Sequence, residues 1–191
     1  MDISKIKLVI IDVDGVLTNG IYTVSDNGSV SKGFHTHDFW AIQRLQEAGM
    51  AVAIVTHCND NCIDMKIESL PKSSRPMLTL TKLDWQTGKE TFLEDFRKKF
   101  DPVIKWSEIA FIGDAENDFE AMKLCGFTGC PADAVSIIKE ESNFIADSYG
   151  GRGAVYEFVN YIIKAKKNGN QCNRTCDKSK TEIVIKNEKK D

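Results

Sequence analysis

The chain of 191 residues has no apolar run approaching the roughly 20 residues that a membrane-spanning helix needs. It shows no internal repeat, and it has no large excess of either charge: the formal net charge is -3, with acidic and basic residues mixed along most of the sequence. That balance gives no global pull toward nucleic acid or anionic lipid, so an anionic substrate has to be held by a local arrangement. The first residues lead almost at once into a strand rather than through the apolar region of a signal peptide. The expectation is a soluble, cytoplasmic protein with neither nucleic-acid nor membrane partners.

What is present fits one compact domain. The apolar content of 42% is enough to fill a sizeable core. Six cysteines stand at 58, 62, 125, 130, 172 and 176. Without an export signal, free thiols are a better reading than a disulfide framework. A zinc site drawn from His57, Cys58 and Cys62 lacks the second well-spaced pair that structural zinc sites use.

Strand and helix patterns alternate along the chain. "IKLVII" (6–11), "MAVAIVT" (50–56), "PMLTL" (76–80), "EIAFIGD" (108–114), "FTGC" (127–130) and "NFIAD" (143–147) read as strands. Helices are expected at 38–48, 60–70, 87–100, 116–125, 133–141 and 154–167. Between the first strand and first helix, "IYTVSDNGSVSKGF" (21–34) alternates around Asn27-Gly28 as a β-hairpin does. Strands separated by helices imply an open, Rossmann-like α/β fold: a parallel sheet with helices on both faces and ligands at the carboxyl ends of its strands. The domain is expected over 1–167, followed by a polar, flexible tail over 168–191 in which only "TEIVIK" (181–186) could form a strand.

Several strands deliver polar residues to that edge: Asp12 and Asp14 after the first, Thr56 after the second, Asp114 and Asp118 after the fourth. Any one of them could be a turn residue or helix cap. Together, carboxylates converging without basic partners repel one another and call for a cation, and oxygen ligands suit Mg²⁺. A phosphate ester suits such a cluster, with Asp12 attacking phosphorus and Asp14 serving as general acid and then base. The backbone carbonyl of Val13 or of Asp14 is open to the metal, and Gly15 lets the chain turn tightly. Thr56 offers a hydroxyl, and Lys89, opening a helix, offers positive charge to the phosphoryl group; Lys82 is the poorer candidate.

"DVDGVLT" (12–18), Thr56, Lys89 and "GDAEND" (113–118) resemble the four motifs of the haloacid dehalogenase superfamily of phosphohydrolases. The resemblance spans about residues 6–165. It implies that Asp12 is the nucleophile and Asp14 the acid/base, that Thr56 and Lys89 bind phosphate, and that Asp12, Asp14 and Asp114 hold Mg²⁺. Asp118 then supports the metal site or Lys89. "DGVLTNG", a hairpin flap in place of a cap domain, "GCPADA" (129–134) and "GGRGAVYEF" (150–158) are similar to a narrower, capless branch. That branch holds the 3-deoxy-manno-octulosonate 8-phosphate phosphatases, the 9-phosphononulosonate phosphatases and the C-terminal domain of animal acylneuraminate cytidylyltransferases. The likeness implies a homotetramer whose active sites are completed by neighbouring subunits.

Two stretches depart from that branch: His37 and Phe39 stand where Arg and Gly are usual, and "WQTGK" (85–89) differs before the third-motif helix. The substrate implied is a 2-keto-3-deoxy sugar acid phosphate of eight or nine carbons. Arg152, in a glycine-flanked loop, can offer a fork to its carboxylate. His35, His37 and Asp38 are placed to touch sugar hydroxyls, and Trp40, Trp85 and Trp106 are expected in the core or a subunit interface. The rival readings are an inactive oligomerisation module and a phosphate-accepting receiver. Retention of Asp12, Asp14 and Asp114 speaks against the module, and the Asp-x-Asp pair against the receiver.

Overall fold

The computed structural model describes residues 2–70 and 78–168. The expected tail strand at 181–186, Cys172 and Cys176 lie outside the described residues. Six strands form one parallel sheet: β1 (Leu8–Asp12), β4 (Ala51–Thr56), β5 (Leu78–Lys82), β6 (Ile109–Ile112), β7 (Phe127–Cys130) and β8 (Phe144–Ile145). Two short antiparallel strands, β2 (Tyr22–Val24) and β3 (Val30–Lys32), make the hairpin, with Tyr22 opposite Lys32.

The spatial order is β5-β4-β1-β6-β7-β8. From β1 the chain winds outward through β4 and β5, returns to β6 on the other side of β1, and winds outward again. The reversal at β1 opens a crevice at the strand ends, where open α/β sheets bind ligands. Register decides what meets there. Asp12 pairs with Val55, one residue before Thr56, and Ile11 pairs with Ile112, two residues before Asp114. Asp12, Thr56 and Asp114 therefore leave the sheet side by side.

Alternation along each strand builds two cores. Val9, Ile11, Val52, Ile54, Ala110 and Ile112 face one layer, formed by α1 (Thr36–Glu47), α2 (Cys62–Glu68) and α6 (154–168). Leu8, Ile10, Ala53, Val55, Ile109 and Phe111 face the other, formed by α3 (Lys89–Phe100), α4 (Phe119–Leu124) and α5 (Ser136–Glu141). In the first layer Phe158 of α6 stacks on Phe127 of β7 at 5.3 Å between ring centroids.

Several boundaries differ from the sequence pattern for local reasons. Helix α2 starts at Cys62 because the Asp60 carboxylate accepts the Cys62 N–H at 2.8 Å, holding residues 60–61 in a turn. The fifth strand begins at Leu78, and the preceding part of the expected strand lies outside the described residues. Asp38 is a correction of role. Instead of facing a sugar, it is completely buried and accepts the N–H groups of Gly153 (3.3 Å) and Tyr156 (2.8 Å). A side chain from α1 thus caps the first turn of α6, satisfying donors that the helix cannot satisfy itself. Burial raises its carboxyl pKa, against the pull of those amides.

Replacing Asp38 with Ala strands both amides in the interior and is expected to lower unfolding stability by about 2 kcal/mol. Urea denaturation followed by circular dichroism measures it; a loss below about 0.5 kcal/mol would contradict the capping role.

Candidate active site

The strand-end carboxylates gather around a buried ammonium. Lys89, the first residue of α3, is 1% exposed, and its Nζ lies 2.6 Å from Asp12 Oδ1 and 2.6 Å from Asp118 Oδ1. A lysine at a helix N-terminus opposes the helix dipole, so its placement depends on these two partners. Burial alone would push the Lys89 pKa down, but the charges of Asp12 and Asp118 outweigh it and hold the group well above its ordinary value. Lys82, the poorer candidate, is engaged elsewhere: its Nζ donates to the Asp60 carbonyl at 2.7 Å and pairs with Asp64.

Asp118 is fully occupied. Its Oδ1 accepts from Lys89, and its Oδ2 accepts the N–H groups of Asp114 (3.0 Å) and Ala115 (3.2 Å). Of the two roles left open for it, these bonds support the one at Lys89. Asp114 is different: its Oδ1 is buried and has no hydrogen-bond partner. The tight turn at Gly15 permits the approach, since a Cβ there would stand 2.0 Å from Asp114 Oδ2, and the Gly15 φ of +93° disfavours any side chain.

Oxygens of Asp12, Asp114 and Asp118 lie within 4.8 Å of one another. Three carboxylates set against one ammonium leave a local formal charge of -2. A divalent cation would balance it, and the donor set is all oxygen, the choice of Mg²⁺. With Asp118 occupied, the oxygens left to hold the ion belong to Asp12 and Asp114, and the orphaned Asp114 Oδ1 fits that use. Burial drives the Asp12 pKa well above its ordinary value, against the pull of Lys89, with the Asp118 and Asp114 charges adding to the rise. Burial and then the Asp118 charge push Asp114 up to about 7.

Asp14, also assigned to the metal from the sequence, has its carboxylate outside this triplet. Its Oδ1 accepts from Lys32 Nζ at 2.6 Å, and its Oδ2 accepts from the Thr56 hydroxyl at 3.3 Å. Lys32 reaches over from β3 and also pairs with Asp60 at 2.7 Å, its side chain 2% exposed. This second clasp ties the hairpin to the strand ends. It escaped the sequence reading, although Lys32 is the single basic residue of segment 21–34.

Asp12, Asp14, Thr56 and Lys32 line a concavity of about 210 Å³ whose wall includes His57, Trp85 and Tyr22. From the sequence, His57 enters only a rejected zinc site and Trp85 only the core or a subunit interface, and neither is placed at this wall. Trp85 is 80% exposed, not in a core, and stacks on His57 at 5.3 Å and 14° between planes. Trp40 is half exposed and stacks on Tyr156, while the Arg97 guanidinium lies over Trp106.

Arg152 and His35 line a neighbouring recess of about 570 Å³, to which Lys32 and Asn19 also contribute. His37 lines neither space; it is exposed and packs against His35 and Tyr156. The glycines beside Arg152 have a structural use: a Cβ on Gly150 would stand 1.8 Å from the Gly15 carbonyl oxygen, and Gly151 N–H donates to the Val16 carbonyl at 2.9 Å. They let loop 150–153 lie directly on the turn that follows Asp12.

A scan against protein-family models finds no match. Among curated proteins, the 3-deoxy-D-manno-octulosonate 8-phosphate phosphatase KdsC of Haemophilus influenzae is 32% identical over 164 residues, covering 86% of each chain. The chain belongs to the KdsC family. It is an α/β phosphatase family of the haloacid dehalogenase type, and a KdsC-family hydrolase fold accounts for the strand-end carboxylates described above.

Solved structures agree with the KdsC assignment. The cobalt-bound H. influenzae phosphatase matches with a TM-score of 0.75 and 31% identity over 87% of this chain and 92% of that one. The Moraxella catarrhalis enzyme in complex with magnesium, phosphate and KDO matches with a TM-score of 0.78 and 29% identity over 91% and 95%. The N-acylneuraminate cytidylyltransferase of Oncorhynchus mykiss is 27% identical over 162 residues; the match covers 85% of this chain and 36% of that protein.

The raised Asp114 pKa has a consequence for stability. Without metal, the folded protein keeps a proton on Asp114 between about pH 4 and about pH 7 that the unfolded chain has released. That contribution is complete at low pH and fades as pH rises through about 7. Because Mg²⁺ competes with the proton, its thermal stabilisation should be several degrees at about pH 8 and less than half of that at about pH 5. Asp114→Asn should abolish the response. Calorimetry with and without Mg²⁺ checks this, and an equal shift at both pH values would contradict it.

Proposed function

We propose that this chain hydrolyses the phosphomonoester of a 2-keto-3-deoxy sugar acid, of the eight-carbon or nine-carbon class, through an aspartyl phosphate formed at Asp12. The observation that carries the reading is the Asp12 carboxylate at the end of β1, fixed by Lys89 beside the orphaned oxygen of Asp114. Bound Mg²⁺, held by Asp12 and Asp114, would supply charge neutralisation for the phosphoryl oxygens.

In the first step an Asp12 oxygen bonds to phosphorus and the ester bond breaks, the departing alkoxide taking its proton from Asp14. In the second, Asp14 removes a proton from water, the resulting oxygen bonds to phosphorus, and the acyl phosphate bond breaks to return free Asp12 and inorganic phosphate. Lys32 and the Thr56 hydroxyl orient the Asp14 side chain, which enters the first transfer as the protonated acid and the second as the carboxylate that its loss of that proton leaves. Thr56 and Lys89 also bear on the phosphoryl group, Thr56 by its position in the concavity and Lys89 by charge. Arg152, in the adjoining recess, supplies the fork for the substrate carboxylate. His37 contributes through packing on Tyr156 rather than by lining the pocket.

The exposed apolar residues Ile21 and Val24 of the hairpin support assembly with further copies into a tetramer. The free thiols of Cys58, Cys62, Cys125 and Cys130 accord with work in the reducing cytoplasm. The match to the cytidylyltransferase supports a second reading as an oligomerisation module, which the intact carboxylate set disfavours.

The test is turnover of KDO 8-phosphate and KDN 9-phosphate with and without Mg²⁺. Asp12→Asn should lower kcat by about a thousandfold or more, because an amide is a poor nucleophile. Arg152→Met should raise KM for these sugar acids about tenfold, with a smaller effect on a phosphate ester lacking a carboxylate. Absence of any Mg²⁺-dependent turnover, or activity indifferent to Asp12→Asn, would overturn the proposal.

A further inference from the structure

The aromatic wall of the 210 Å³ concavity is unexplained by packing or by phosphoryl transfer. Trp85 is a large apolar side chain left 80% exposed, yet its ring is held in place from behind. It stacks nearly parallel on His57, and His57 is itself fixed at both nitrogens: Nε2 donates to the Thr87 carbonyl at 3.0 Å, and Nδ1 accepts from Asn117 Nδ2 at 3.3 Å. Tyr22 of the hairpin, 58% exposed, lines the same concavity, with the Lys32 ammonium 5.7 Å from its ring centroid. Two exposed rings therefore border the space into which the nucleophile end of β1 opens.

The charges bordering the same space are already paired. Lys89 is shared by Asp12 and Asp118, and Lys32 by Asp14 and Asp60. Neither ammonium is left for a second anionic group of a substrate. What this mouth offers beyond the phosphate site is ring surface, which favours flat faces of aromatic or C–H character.

We propose that Trp85, backed by His57 and sharing the mouth with Tyr22, is the specificity-determining contact for the leaving group, and that the substrate presents a ring there with an uncharged, C–H-bearing face. The inference rests on the phosphatase reading and deepens it: the sugar is held by stacking at the mouth, and any carboxylate lies beyond it toward Arg152. It also gives a use to the "WQTGK" stretch, where the sequence departs from the capless branch it otherwise resembles.

The first experiment compares kcat/KM for KDO 8-phosphate, p-nitrophenyl phosphate and acetyl phosphate in the full-length, Mg²⁺-loaded enzyme and in Trp85→Ala and Trp85→Phe. In Trp85→Ala the preference for either ring substrate over acetyl phosphate should fall about tenfold, chiefly through KM, and Trp85→Phe should restore most of it. A preference unchanged in Trp85→Ala, or not restored by Phe, would overturn the inference. The second reads binding without turnover: phenylphosphonate should quench the tryptophan fluorescence of the wild type and not that of Trp85→Phe. Equal quenching in both, or quenching in neither, counts against the stacking contact. A wild type that hydrolyses none of the substrates but shows the Trp85-dependent quench refutes the phosphatase reading while leaving the ring contact standing.

Discussion

The carboxylate triplet at the carboxyl edge of the sheet is organised by one buried ammonium. Lys89 sits between Asp12 and Asp118 with bonds of 2.6 Å to each, in surroundings that leave it 1% exposed. Removing water from charges is costly, and a buried ion persists only where its partners are close and hydrogen-bonded. The clasp satisfies that condition for Lys89 and overshoots it for the carboxylates. With Asp114 alongside, the cluster holds more formal negative charge than Lys89 neutralises, an excess that a divalent cation would balance. The same geometry points Asp12 straight off a strand whose neighbours on both sides are fixed by parallel pairing.

A second clasp repeats the device on the solvent side. Lys32, carried by the hairpin, bridges Asp14 and Asp60, so the proposed acid/base group and the flap that covers it belong to one charge network. Burial alone would raise the Asp60 pKa, but bonds from Cys58 and Lys32 bring it well below its ordinary value. Farther out, Gly150 and Gly151 let a loop rest on the Gly15–Asn19 turn, and Asp38 fastens the helix that follows this loop. Precision at the proposed nucleophile would thus be supplied by several weak supports acting on a short turn.

The strand pattern and the order of elements were legible because buried parallel strands are short apolar runs bounded by helices. Asp12, Thr56 and Asp114 were legible as a group because adjacent parallel strands carry their ends to one edge. Lys89 followed because it opens a helix entering that edge. The orientation of side chains that leave the edge was not legible. Asp38 and His37 are neighbours on one helical turn, yet Asp38 turns inward as a cap and His37 outward, a choice set by where 154–168 docks. Asp14 pairs with Lys32 only because the hairpin folds back over it. The stacking of Trp85 on His57 joins two loops separated by 28 positions, and no local pattern marks such a meeting.

Asp12, held by Lys89, is proposed to become covalently bonded to phosphorus during turnover. Acid-quenching the protein during hydrolysis of KDO 8-phosphate, reducing it with borohydride and sequencing its peptides by mass spectrometry tests this directly, since reduction converts an aspartyl phosphate to homoserine. Homoserine is expected at position 12, dependent on both substrate and Mg²⁺. Turnover that leaves Asp12 unmodified and places the reduced residue elsewhere would contradict it.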